Sequence, residues 1–187
     1  MVRVHHCENP EELEALLRTR TFRGSKLRTN VAKGEETEVH SSGRVMLKEP
    51  VMSDVVKSGK LFNAVKKQLP WCEQLTLNRN LCCTKHTDRN EGNSYIAFFG
   101  TFDHQLGGGL QVYEEAGTQL LRGKGVWFEY NGRDPHETEP WSCGGDRYSI
   151  VAYRKPPKKV SAASAPRTAA SFSGPEPDPT EREAQGQ

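Results

Sequence analysis

Apolar residues in the first part of the chain recur at helical spacing. Leu13, Leu16 and Leu17 follow Asn9-Pro10-Glu11-Glu12 and fall on one face of a 3.6-residue repeat. Asn9 as a cap, Pro10 in the first turn and two acids beside the positive end of the dipole predict a helix start there. A second helix is predicted from Ser53-Asp54. Val55, Val56, Leu61, Phe62, Val65 and Leu69 follow mostly at helical spacing, and Pro70 closes the segment. Between the two, Thr37–Val39 and Arg44–Leu47 read as short strands around a Ser42-Gly43 turn.

From Trp71 the pattern changes. The β-type runs Leu75–Cys83, Ser94–Gly100, Leu110–Glu114, Gly125–Tyr130 and Arg147–Arg154 are separated by Gly107-Gly108-Gly109, Asn131-Gly132 and Gly144-Gly145. Many short strands at this spacing predict a mainly β domain with flanking helices (α+β), built as a sandwich, barrel or jelly roll. Such folds carry ligands in the mouth between their sheets. After Pro156 the only large apolar residues are Val160 and Phe172, too few to offset the entropy of ordering. The expected organisation is one domain over 1–155, with support over about 1–74 and a β core over about 75–155, and a disordered tail over 156–187.

That tail adds to the polar dilution of a chain that is 34% hydrophobic. The net charge of +2 is also an average. Arg18, Arg20, Arg23, Lys26, Arg28 and Lys33 have no acid between them, and Arg154, Lys155, Lys158 and Lys159 form a second cluster. Stretches of this kind track phosphates. Nucleic acid is therefore a candidate partner through Arg18, Arg20, Arg23, Lys26 and Arg28, with a solvated loop as the plainer alternative. There is no apolar run of about 18 residues and hence no membrane-spanning helix or membrane partner. No apolar segment follows Met1, so no secretory signal is expected. Cys7, Cys72, Cys82, Cys83 and Cys143 are irregularly spaced. That suits free thiols in a reducing cytoplasm or nucleus. A monomer is expected.

Chemistry enters at His86-Thr87-Asp88. Two residues apart on an extended chain, the imidazole and the carboxylate point to one face. His136 follows the apolar run Val126–Tyr130. Two histidines and one carboxylate make the facial triad of non-haem Fe(II) oxygenases, unless His136 is a loop histidine bonded to its neighbours. Arg147 opens an apolar strand, where a charge needs a partner. Arg147 and Ser149 share one face of it and Tyr148 and Ile150 the other. A guanidinium beside a hydroxyl suits a carboxylate ligand. A surface arginine paired with Asp146 or Glu139 is the alternative.

In the order His86-x-Asp88, Gly108-Gly109-Leu110, His136-x-Thr138-x-Pro140 and Gly145-x-Arg147-x-Ser149, the chain resembles the Fe(II)/2-oxoglutarate-dependent dioxygenase superfamily over about Leu75–Tyr153. The resemblance implies a double-stranded β-helix, the jelly roll of that superfamily. It implies that His86, Asp88 and His136 hold Fe(II) as the catalytic metal ligands. It further implies that Arg147 and Ser149 bind the distal carboxylate of 2-oxoglutarate, with O2 as cosubstrate and succinate and CO2 as products. Asn80 and Asn78, on the same strand parity, are expected to help seat the cosubstrate, or else are strand-edge amides. Asp88, which related halogenases lack, favours hydroxylation or oxidative demethylation. The wider pattern, from Asn80 through Asn90 and Gly92-Asn93-Ser94 to Phe98-Phe99-Gly100 and Gly107–Leu110, is similar to a protist- and algal-rich branch related to the TET and J-binding-protein oxygenases. That branch makes a nucleobase one substrate class, beside a protein side chain or a small molecule. A cupin-like metal module and a catalytically silent scaffold are the competing classes. Trp127 and Trp141 are expected either to line the mouth or to pack in the core.

Overall fold

Strand periodicity and antiparallel pairing build two sheets. The elements are β1 (Arg3–His6), α1 (Pro10–Arg18), β2 (Met52–Val56), α2 (Lys60–Gln68), β3 (Gln74–Arg79), β4 (Glu91–Gly100), β5 (Leu110–Glu114), β6 (Gly117–Leu121), β7 (Val126–Tyr130), β8 (His136–Thr138) and β9 (Arg147–Arg154). The large sheet runs β1-β7-β4-β9-β3-β2 and the small one β6-β5-β8. The computed structural model describes residues 2–22, 52–141 and 145–156. The expected strands at 37–39 and 44–47, most of the basic stretch and the expected tail lie outside them.

Alternation along the large sheet divides the apolar residues into two cores. Ala97, Phe99, Leu75, Leu77, Trp127 and Ile150 pack with Leu13 and Leu17 of α1 and Leu61, Phe62 and Val65 of α2. Ile96, Phe98 and Phe128 turn the other way, toward Leu110 and Val112 of the small sheet and Leu121 of β6. The period of two that sends Ala97 to one core and Phe98 to the other sets three layers: helices, large sheet, small sheet. Among the described residues, no helix is long and apolar enough to cross a membrane.

The first helix begins at Pro10 as the sequence predicts, but Asn9 is left-handed (φ 48°) and its side chain makes no capping bond. Its carbonyl instead accepts from Glu12 N and Leu13 N at 3.1 and 3.3 Å. The helix start predicted at Ser53-Asp54 is not observed. Met52–Val56 forms β2, paired antiparallel with β3, and α2 starts at Lys60 after Gly59. Two β-branched residues and an unfilled strand edge outweigh a helical spacing that had merged two elements. β3 stops at Arg79 rather than Cys83 because Asn80 turns the chain in a left-handed conformation, φ 48°. Cys7 is buried in the helix-side core, where burial pushes its thiol up to about 11.

Gly100 closes β4 where the chain must pass the start of β9. Its φ is 113°, and a Cβ there would lie 2.1 Å from the Asp146 carbonyl oxygen. That oxygen already accepts from Thr101 N at 2.9 Å. Gly100→Ala is therefore expected to destabilise the fold by roughly 3 kcal/mol or more, read as a lower urea midpoint at unchanged slope.

Candidate metal and cosubstrate site

Register aligns the inner face of the large sheet in rows. Arg147 lies opposite Gly100. The next row is Phe98, Ser149, Asn78 and Ser53, and the one after it Phe128, Ile96, Val151, Thr76 and Val55. Beyond these, Ser94 pairs with Tyr130 and Gln74 with Tyr153. At about 6.7 Å for each two-residue step, β9 places Tyr153 about 20 Å from Arg147. A cavity of about 280 Å³ follows this face, with His86, Asp88 and His136 in its wall and Arg147, Ser149 and Asn78 at its deep end.

The two histidines are brought together by backbone pairing. The segment at 83–88 lies along β8, with His86 N donating to His136 O at 2.9 Å and His136 N to His86 O at 2.8 Å. Thr138 N donates to Cys83 O at 3.0 Å and Asp88 N to Gly132 O at 2.7 Å. The result places one ligand atom from each of His86, Asp88 and His136 within 4.8 Å of one another. Each Nδ1 faces a carbonyl two residues upstream in its own chain: His86 meets Thr84 O at 2.6 Å and His136 meets Asp134 O at 2.8 Å. An Nδ1–H that donates there leaves the Nε2 lone pair for a metal. Those Nε2 atoms stand 3.9 and 3.7 Å from the Asp88 carboxylate. Burial, reinforced by the charge of His86, lowers the His136 pKa and so favours the neutral imidazole that ligates. The donor set fits a divalent non-haem iron with open positions.

At the other end Arg147 is 2% exposed. Its Nε donates to Gly108 O at 2.6 Å and one terminal nitrogen to Leu81 O at 3.4 Å. Its guanidinium sits 5.0 Å from the Phe98 ring and 5.2 Å from the Trp141 ring. Neither acid expected as a surface partner takes it. Asp146 accepts from Arg79 and Asn80, and Glu139 accepts from Arg122. Among the described residues, no carboxylate forms an ion pair with Arg147. Burial lowers its pKa to about 10, so it remains charged at neutral pH. Gly108 permits this seating, since a Cβ there would lie 2.7 Å from the Phe102 ring and 3.3 Å from Arg147 Cδ. A buried cation with a free side toward the cavity fits the distal carboxylate of a dicarboxylate.

The structure separates the two asparagines. Ser53 Oγ donates to Asn78 Oδ1 at 2.8 Å, and Asn78 Nδ2 donates to Ser149 Oγ at 3.1 Å. Donation runs in one direction, which leaves the Ser149 hydrogen for the cavity beside Arg147. Asn80 lies outside the cavity wall. Its Oδ1 accepts from Arg147 N at 2.7 Å and its Nδ2 donates to Asp146 at 3.0 Å, so it anchors the start of β9. Trp127 is buried on the helix side, donating to Gln68 at 3.1 Å, and Trp141 supports Arg147. Arg18 holds Glu14 at 2.6 Å and Arg20 holds Asp54 at 3.1 Å. The sequence did not single out Asn90, Tyr130, Thr76 or Tyr153 as wall residues. The parity that Thr76 shares with Asn78, and Tyr153 with Ser149, was the available signal.

No protein-family model and no curated protein sequence matches the chain. Solved structures do match. A prolyl-4-hydroxylase from Pseudomonas putida aligns over 83% of this chain and 92% of its own, at 15% identity and TM-score 0.54. A prolyl hydroxylase from Trichoplax adhaerens, solved with a peptide fragment of hypoxia inducible factor, aligns over 82% and 83%, at 11% identity and TM-score 0.56. A viral collagen prolyl hydroxylase from Paramecium bursaria Chlorella virus-1, solved as a 2-oxoglutarate complex, aligns over 83% and 96%, at 10% identity and TM-score 0.51. The chain shares the fold of these prolyl hydroxylases, the jelly roll that the sequence resemblance implies. Its two sheets hold the His86-Asp88-His136 triad between them.

Proposed function

We propose that the protein is an Fe(II)/2-oxoglutarate-dependent dioxygenase that hydroxylates or oxidatively demethylates its substrate, with succinate and CO2 as coproducts. One observation supports this above the others. The cavity joins a two-histidine, one-carboxylate cluster to a buried guanidinium with which no acid of the described residues forms an ion pair. A cupin-like module or a silent scaffold needs the first and has no use for the second. Burying an unpaired cation is costly, and a dicarboxylate ligand offsets that cost when it binds.

His86, Asp88 and His136 would hold the iron, which when bound supplies the activation of O2 coupled to oxidative decarboxylation of 2-oxoglutarate. Arg147 and Ser149 orient the cosubstrate by its distal carboxylate. Ile96, Leu110 and Val151 exclude water along its length. Val55, Thr76 and Tyr153 form the wall on the β2–β3 side, where we place the substrate. For a nucleic-acid substrate, Arg18 and Arg20 already hold carboxylates. Phosphate contacts would then fall to Arg23, Lys26 and Arg28.

The test is anaerobic addition of Fe(II) and 2-oxoglutarate. A visible metal-to-ligand charge-transfer band is expected in the wild type. No band, with zinc retained tightly by the purified protein, would sink the reading. Succinate release in the presence of methylated DNA, RNA or peptide then sorts the substrate classes.

A further inference from the structure

The two histidine ligands are each fixed through Nδ1, but a carboxylate needs a donor to hold it. Asn90 supplies one. Its Nδ2 donates to Asp88 Oδ2 at 3.3 Å and to Ser94 Oγ at 3.0 Å. A carboxylate accepts only, so the amide nitrogen must face Asp88, and both of its hydrogens are then used. Ser94 is fully buried and lies opposite the Tyr130 ring across the sheet. That same ring meets the His136 imidazole edge-on at 5.3 Å. The contacts form a circuit: Asp88, Asn90, Ser94, Tyr130, His136. Gly132 closes over it, since a Cβ there would lie 3.1 Å from Ser94 Oγ and 3.3 Å from Asp88 Cβ.

We infer that Asn90 is a positioning residue for the metal centre: held by Ser94, it occupies one oxygen of Asp88 and leaves the other to ligate. The inference rests on the metal-centre reading above. A carboxylate pinned this way stays monodentate, which keeps coordination positions open for a chelating cosubstrate and O2. Without the pin, Asp88 is free to bind through both oxygens or to swing away. Asn90 sits two residues past Asp88 in the chain, as the carbonyls of Thr84 and Asp134 sit two residues before their histidines. All three ligands are thus oriented by local chain geometry.

Cobalt(II) is the probe, because it reports both affinity and coordination through its visible bands. Titrated into the full-length wild type, it should bind at one site. In Asn90→Ala, affinity should fall roughly 10–100-fold, the usual effect of losing an outer-shell partner. The band shape should change while the melting temperature of the metal-free protein does not. Ser94→Ala removes the hold on Asn90 without touching Asp88 and should shift both readouts the same way by less. It also carries the test if Asn90→Ala does not fold. Wild-type affinity within twofold and superimposable spectra in these variants would overturn the inference. A wild type that binds no cobalt would instead overturn the metal-centre reading beneath it.

Discussion

His136→Ala is expected to abolish iron retention and turnover while leaving the fold intact. The imidazole is buried, with 3% of the side chain exposed, and it is one of the three proposed ligands. Its backbone, not its ring, makes the 2.8 and 2.9 Å bonds to His86 that align β8 with the segment at 83–88. Alanine keeps those bonds. The ring's packing against Tyr130 is lost, a local cost. Losing a direct ligand should exceed the roughly 10–100-fold penalty of losing an outer-shell partner, so turnover should fall below about 1% of wild type. Iron content after reconstitution and the charge-transfer band should disappear together. The far-ultraviolet circular dichroism and the urea slope should match wild type, which separates loss of the metal from loss of the fold. A variant that still retains one equivalent of iron and shows the band would remove His136 from the ligand set.

Much of this site is legible in the chain because its residues obey the period of the strands that carry them. His86 and Asp88 share a face across Thr87, and Arg147 and Ser149 share one across Tyr148. The structure puts both pairs in the same cavity wall. Local parity does not reveal which face of a strand survives its last residue. Asn80 has the parity of Asn78, yet its left-handed backbone turns the chain and commits its side chain to the start of β9. Pairing across the sheet is equally invisible locally. β2 exists because β3 offers it an edge, and a helical spacing that runs through Val55 and Val56 hides this. β8 spans only His136–Thr138, too short for any periodicity to register. Its geometry comes from β5 on one side and the segment at 83–88, fifty residues earlier, on the other. The role of Asn90, which the sequence pattern includes, stayed hidden for the same reason: its partner Ser94 matters only once β4 and β7 align Ser94 with Tyr130.

Arg147→Met should separate stability from cosubstrate binding. Methionine roughly fills the stem of the arginine and suits the surrounding Phe98, Phe102 and Trp141 rings. The native guanidinium carries a desolvation cost, seen in a pKa lowered to about 10 by burial. Replacing a buried charge with a hydrophobic residue of similar volume is often neutral or stabilising. Against this, the carbonyls of Gly108 and Leu81 lose donors, a cost of about 1–3 kcal/mol each if water does not replace them. The two effects oppose, so the urea midpoint of the metal-free protein should move little. Binding of 2-oxoglutarate should collapse, because the buried guanidinium of the cavity wall is gone. An apparent KM raised about 100-fold or more corresponds to the roughly 2.7 kcal/mol expected of a lost charge-assisted contact. Iron affinity should stay near wild type, since Arg147 is not one of the three residues of the His86-Asp88-His136 cluster. Arg147→Lys keeps the charge but replaces a fork with a point donor. It should fall between the two, binding 2-oxoglutarate more weakly than wild type while losing stability through an ammonium that cannot serve both carbonyls and the ligand. If Arg147→Met instead binds 2-oxoglutarate like wild type, the deep end of the cavity is not where the distal carboxylate sits.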